Sequence, residues 1–256
     1  MTDSPLHSGH WSTFASDPMD PAAISHRRSA INAARRPTIT DRTSFLRDSV
    51  RGRRLLDIGV VDHALISNRS DRWLHGQLAE VAAWSLGVDV LDEPVRQLRE
   101  QGYNVECIDI TAGGRPDGAF DVIVAGEVAE HLGNVGGLFD AAADLLAPAG
   151  RFLLTTPNPF AIWRVYQHLR GRPHENVDHV TYLGAWGVAE LADRAGLRLL
   201  SFRGIAPLYP VGRKAKLVSW GHRRRLLRFV PEALAESILY ELVRADVAVP
   251  NVIEPG

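Results

Sequence analysis

The chain has 256 residues, 45% of them apolar and 23% charged, with a formal net charge of -1. That length suits one α/β domain with decorations, and the composition is that of a globular protein, which excludes fibrous and disordered classes. Near-neutrality gives no overall pull toward nucleic acid or an anionic membrane, and a single cysteine, Cys107, allows neither an internal disulfide nor a cysteine zinc site. With no leader-like segment and no bilayer-length apolar run in the sequence, a reducing, cytoplasmic setting is expected.

In chain order, residues 1–45 carry Ser, Thr, Asp, Pro and His with little apolar periodicity, and are expected to form a mobile arm or cap before a domain over 46–256. Arg54 to Gly59 reads as a short buried strand ending in a turn glycine, followed by a helix from about Arg72 to Trp84. Strands are expected at Ser85–Val90, Asn104–Ile110, Phe120–Ala125, Arg151–Thr156 and Leu197–Phe202. Helices are expected at Glu93–Gln101, Val135–Leu146 and Ala185–Ala195. Near the end, Leu217–Phe229 and Glu232–Leu239 look helical, so 206–245 reads as a helical insertion on the acceptor side, with a last strand at Val243–Val249. Such alternation implies parallel strands joined by right-handed crossovers, with ligands bound beyond the carboxyl ends of the strands.

The first two strand ends carry the chemistry of a nucleoside site. Gly59 lets the backbone turn tightly and approach a ligand, Asp57 sits near the strand end, and Asp89 at the end of the next strand suits vicinal ribose hydroxyls. After the fourth strand, Gly126-Glu127-Val128-Ala129-Glu130-His131-Leu132 places Glu127, Glu130 and His131 on about one face of a helical turn. Two carboxylates and an imidazole can hold a divalent ion; alternatively Glu127 caps a helix and His131 packs beside the ligand. His179 is read either as facing an acceptor or as capping its loop, and Asn158 either as a ligand contact or as a turn residue. Trp163, Tyr166, His168 and Trp186 are read as core in preference to an acceptor pocket, and His222 to Arg225 as a solvated helix face in preference to an anion or membrane contact.

The series Leu56-Asp57-Ile58-Gly59, Gly87-Val88-Asp89, Asp109, Phe120-Asp121-Val122-Ile123, Glu130-His131-Leu132, Leu146-Ala147-Pro148-Ala149-Gly150 and Thr155-Thr156-Pro157-Asn158-Pro159 resembles the class I S-adenosylmethionine-dependent methyltransferases over about residues 53–205. In motifs it is most similar to small-molecule O-methyltransferases of the ubiquinone-biosynthesis type and to related bacterial enzymes. The resemblance implies a Rossmann-like, seven-stranded, mostly parallel sheet with helices on both faces. It implies S-adenosylmethionine held by Asp57, Gly59, Asp89, Asp109, Ile110 and Glu127, with O-methylation of a small metabolite or saccharide-type acceptor. His131 is then the first choice as general base, with His179 on the acceptor side. It also implies Mg2+ or another divalent ion on Glu127, Glu130, His131 and His179, a set also similar to that of small-RNA 3'-end methyltransferases. The family writes Asp-x-Gly-x-Gly-x-Gly, whereas the second and third glycine positions here are Val61 and His63. Either the loop takes another path, with Asp62 or His63 facing the cofactor, or cofactor affinity is reduced. Two alternatives follow: a cofactor-binding pseudo-methyltransferase that regulates or scaffolds a partner, and a metal-dependent RNA ribose methyltransferase, which the lack of a basic groove disfavours.

Overall fold

The structure, a computed structural model, describes residues 10–61, 73–205, 233 and 235–247. Seven strands form one sheet: β1 (Arg54–Ile58), β2 (Trp84–Asp89), β3 (Val105–Cys107), β4 (Phe120–Gly126), β5 (Leu146–Pro157), β6 (Leu197–Ile205) and β7 (Ser237–Arg244), in the order β3-β2-β1-β4-β5-β7-β6. Pairing is parallel from β3 through β5, and β7 runs antiparallel to both β5 and β6. Strand order reverses between β1 and β4, which opens a crevice at their carboxyl ends.

Side-chain alternation along β1 feeds two cores. Leu55 packs with Leu46 and Val50 of α2 (Arg42–Val50) and Leu78 of α3 (Leu74–Ala79) on one face. Leu56 and Ile58 join Leu138 of α5 (Val135–Leu145) and Val188 of α7 (Ala185–Arg194) on the other. Each fully buried aliphatic side chain contributes about 1.5–3 kcal/mol, so sandwiching β1 and β4 between helices makes the crevice floor rigid. The remaining helices are α4 (Asp92–Glu100) and α6 (Ile162–Leu169). Among the described residues no helix is long and apolar enough to cross a membrane.

The strands and helices expected between Arg54 and Phe202 are present with two differences in extent, and a third difference lies near the end of the chain. The helix expected to reach Trp84 ends at Ala79, because Ala83 already donates its N–H to the carbonyl of Arg53 and Trp84 pairs with Arg54 in the sheet. Strand β3 stops at Cys107, since the Asp109 carboxylate accepts the N–H groups of Thr111 and Ala112 and folds the chain into a 3-10 turn. The segment read as helix over Glu232–Leu239 is strand from Ser237 onward. Ile238, Leu239, Tyr240, Leu242 and Val243 are all buried, and an apolar run covered on both faces has no period to distinguish strand from helix. The last strand, expected at Val243–Val249, instead spans Ser237–Arg244, and residues 245–247 turn away from it, with the Ala245 N–H donated to the carbonyl of Gly196. The expected Leu217–Phe229 helix lies outside the described residues.

Of the segment expected as a mobile arm or cap, residues 10–45 are folded onto the sheet edge. Asp20 caps α1 (Pro21–Ala34) by accepting the Ala22 N–H at 2.7 Å, with Pro21 opening the helix. Arg27, buried, donates to Asp193 at 2.6 Å and Glu190 at 2.8 Å on α7. Beyond α1, Arg36 and Ile39 donate backbone N–H groups to Phe202 and Gly204 of β6. The segment thus covers the open edge of the sheet. Its few apolar contacts, Ala23, Ile31 and Ala34, are supplemented by ion pairs, which explains the weak apolar period.

Candidate functional site

The carboxyl ends of β1, β2 and β4 surround a cleft of about 770 Å³, within the range of small-molecule sites. Asp57, Gly59, Asp89, Asp109, Ile110, Glu127, Glu130, His131 and His179 all line it, so the sequence-predicted residues converge on one place.

At the β1 turn, Gly59 has φ +77°, and a Cβ there would lie 2.3 Å from Cγ2 of Val128. Both facts require glycine. Asp57 is buried with Oδ2 3.0 Å from Nδ1 of the equally buried His75. The carboxylate of Asp89 accepts three backbone N–H groups, from Val61 at 2.9 Å, Val90 at 2.8 Å and Leu91 at 3.2 Å. A carboxylate has about four acceptor sites, so one remains for a ligand hydroxyl. Val61 therefore ties the loop to the second strand; Asp62 and His63 lie outside the described residues. Asp109 accepts from the Thr111 side chain at 2.7 Å, and that bond, added to the two backbone N–H groups, holds its carboxyl below the usual range against a small opposing effect of burial.

The β4 turn forms the other wall. Glu127 is the one non-glycine described residue with positive φ, at 59°, and holding a residue with a Cβ there costs about 1–3 kcal/mol. Its N–H donates to the carbonyl of Thr155 at 2.9 Å, its Oε1 lies 3.6 Å from Nη1 of Arg42, and its Oε2 accepts from Ser237 at 3.5 Å. Glu130, buried, accepts from the Thr156 hydroxyl at 3.0 Å. Burial first, and then the charge of Glu127, push its pKa up to about 8. The backbone carbonyl of Glu130 accepts the N–H groups of Val180 and Thr181, which brings the loop of His179 over the turn. There His131 and His179 meet edge to face with centroids 4.8 Å apart, and Nδ1 of His131 lies 3.0 Å from Oδ2 of Asp178. Burial, followed by the charge of His131, lowers the pKa of His179. Donor atoms of Glu130, His131 and His179 lie within 4.8 Å of one another, a spacing that suits one cation, whereas Glu127 stands outside that trio.

Other readings are changed. Asn158 is buried away from the cleft, donating to the carbonyl of Ala235 at 2.9 Å and accepting the N–H of Phe160 at 2.9 Å, so its role is to hold the turn after β5. Trp163, Tyr166, His168 and Trp186 are neither core nor cleft lining: all four are exposed or half-buried, with Trp163 and Tyr166 stacked on α6. Among the described residues no side chain of α6 is buried, which amphipathic spacing alone does not reveal. The run from His222 to Arg225 lies outside the described residues. Missed from the sequence were Arg42, the one Lys or Arg among the described lining residues, and Trp73 and His75. Arg42 sat in a segment without periodicity, and nothing in spacing connects His75 with Asp57.

A methyltransferase-domain family matches residues 30–201. Ubiquinone biosynthesis O-methyltransferase from Aeromonas salmonicida is 28% identical over 194 residues, covering 70% of this chain and 76% of that protein. Other relatives of the same name are matched over 57 to 64% of their length. Among solved structures, a chain from the complex between the Haloferax volcanii Trm112 methyltransferase activator and a methyltransferase aligns with TM-score 0.54 at 16% identity, covering 93% of this chain and 98% of that one. The magnesium protoporphyrin IX methyltransferase from Synechocystis PCC 6803, solved with bound SAH, aligns with TM-score 0.51 at 13% identity, covering 92% and 93%. With its reversed-order parallel sheet, its antiparallel β7, its cleft at the β1 and β4 turns and this family match, the chain belongs to the class I S-adenosylmethionine-dependent methyltransferases.

Proposed function

We propose that the chain methylates a hydroxyl oxygen of a small-molecule acceptor, with His131 receiving the hydroxyl proton. The lining suits the donor: Gly59 supplies a turn with no Cβ, Asp89 keeps an acceptor site for ribose, Asp109 and Ile110 flank the place for adenine, and Arg42 offers a cation for the methionine carboxylate. S-adenosylmethionine supplies an electrophilic methyl group on a sulfonium. The acceptor oxygen forms a bond to that carbon as the carbon–sulfur bond breaks, the bonding pair stays on sulfur, and the oxygen's proton passes to the base.

The carrying observation is the His131–His179 pair at the donor cleft, with Asp178 on Nδ1 of His131. That carboxylate favours the tautomer with its lone pair on Nε2. The name of the Aeromonas relative, together with the ring of Tyr182, which meets that of His179 with centroids 6.2 Å apart, supports a phenolic acceptor ahead of a saccharide. A specific observation also favours a second form of the site with a divalent ion: the trio of Glu130, His131 and His179 would hold it, lowering the pKa of the acceptor hydroxyl, and His131 would then serve as ligand instead of base. Loading it must displace the proton of Glu130.

The test is incubation with S-adenosylmethionine and separate pools of catechols, saccharides and RNA, with and without EDTA and Mg2+, followed by mass spectrometry. Methylated catechol and a large kcat loss in His131→Ala are expected. Donor binding without any product would favour the pseudo-enzyme, and salt-sensitive RNA methylation would favour the ribose methyltransferase. Chelation that leaves turnover unchanged would remove the metal.

A further inference from the structure

We propose that side-chain tethers set the methyl-donor turn of this chain in place of the missing glycines, and that Trp73 and His75 are positioning residues for donor binding. Both roles rest on the methyltransferase reading and extend it.

Three contacts hold the turn after β1. Trp73 donates its indole N–H to the carbonyl of Val60 at 2.8 Å, the N–H of Val61 is donated to Asp89 at 2.9 Å, and His75 lies 3.0 Å from the carboxylate of Asp57. Trp73, His75 and Asp57 are buried, so the first and last of these contacts are shielded from competing water, while the Val61–Asp89 bond is half-buried. The turn is also packed. Val60 forms a hydrophobic cluster with Trp73, Val95, Leu98 and Val105, against which Val61 and Tyr103 pack. The rings of Trp73 and Tyr103 meet at 89° with centroids 4.7 Å apart.

Gly87 of β2 provides an independent sign that this arrangement is built in. A Cβ on Gly87 would lie 2.8 Å from Val60, 2.9 Å from His75 and 2.9 Å from Val105. Its φ is not positive, so glycine serves space and not conformation. The second strand gives up a side chain where the turn and His75 press on it.

The physical logic follows. Glycines let a turn approach a ligand but leave it many conformations to lose. Here the side chains of Val60 and Val61 occupy a cluster beneath the turn, and the tethers hold its backbone. Asp89 couples the two halves, because the carboxylate that would meet the ribose also fixes Val61. Turn position and ribose acceptor therefore move together.

Calorimetry with S-adenosylhomocysteine, thermal melting and hydrogen exchange at the Val61 amide test this on the full chain. In Trp73→Phe, which keeps a ring and loses one N–H, affinity should fall about tenfold, Val61 exchange should quicken, and the melting temperature should change little. His75→Ala should weaken binding comparably and His75→Gln, which keeps a donor for Asp57, should restore most of it. Val61→Gly, which writes the family's glycine back, should weaken binding and remains informative if the other variants fail to fold. Unchanged affinity in folded variants, loss that only tracks melting temperature, or tighter binding by Val61→Gly overturns the proposal alone. Absence of binding by the wild-type chain overturns the methyltransferase reading and the proposal with it.

Discussion

Arg42 and Glu127 meet in the donor cleft, Nη1 to Oε1 at 3.6 Å, although one opens α2 and the other closes β4. The guanidinium also donates to the Thr155 hydroxyl at 3.3 Å, which fixes its direction. A cation so held beside the cleft is poised for a carboxylate. Arg42→Met should raise the KM for S-adenosylmethionine about 10- to 100-fold, the loss of a hydrogen bond to a charged group, with a smaller change in kcat. Steady-state kinetics at varied donor checks this, and Arg42→Lys should recover only part, lacking the bidentate fork.

Asp89 holds the Val61 amide and is proposed to hold the ribose, and its variants should separate the two. Asp89→Asn keeps an oxygen for the Val61 amide and for a ribose hydroxyl, whereas Asp89→Ala loses both. Affinity for S-adenosylhomocysteine should fall about tenfold in the first and about 100-fold or more in the second. Equal affinities across the series would place the ribose elsewhere.

Glu130 makes stability depend on pH. With its folded pKa raised to about 8 from 4.5, the folded chain retains a proton that the unfolded chain releases between those values. Its contribution is complete below 4.5, declines as pH rises, and is gone once pH passes through 8. His179 acts oppositely, since its lowered pKa costs stability as pH falls through 6.5. In the presence of EDTA, the wild-type melting temperature should therefore fall relative to Glu130→Gln between pH 5 and pH 8 and run parallel above it. Parallel curves throughout would mean that Glu130 is ionised in the fold.

The α1 segment should be held chiefly by Arg27. Removing one partner of a buried pair strands the other charges, at a cost of about 3–5 kcal/mol; with Glu190 and Asp193 partly solvated, the lower end is expected for Arg27→Met. Limited proteolysis should then cut within 35–41, where the wild-type backbone is bonded to β6. Resistance equal to wild type would show that the apolar face of α1 suffices.

Much of the fold was legible because its central strands are short apolar runs followed by Gly or Asp, and because α4 and α5 have clear apolar stripes. The acids of the cleft were legible for the same reason: strand ends in such a sheet lie at one edge, so Asp57, Asp89 and Glu127 had to share it. The N-terminal helix was hidden since its docking uses Arg27 and backbone bonds to β6. Ser237–Leu239 was misread because burial on both faces of a strand erases alternation.

Taken by itself, the sequence determined the parallel sheet, the crevice and the acids around it, since local periodicity and strand-end position are properties of neighbouring residues. Only the tertiary structure decided the partners: His75 for Asp57, Val61 for Asp89, Arg42 for Glu127, and Glu130 among His131 and His179. Those pairs join residues distant along the chain, and burial shifts the protonation of groups such as Glu130 only once the fold has removed water from around them.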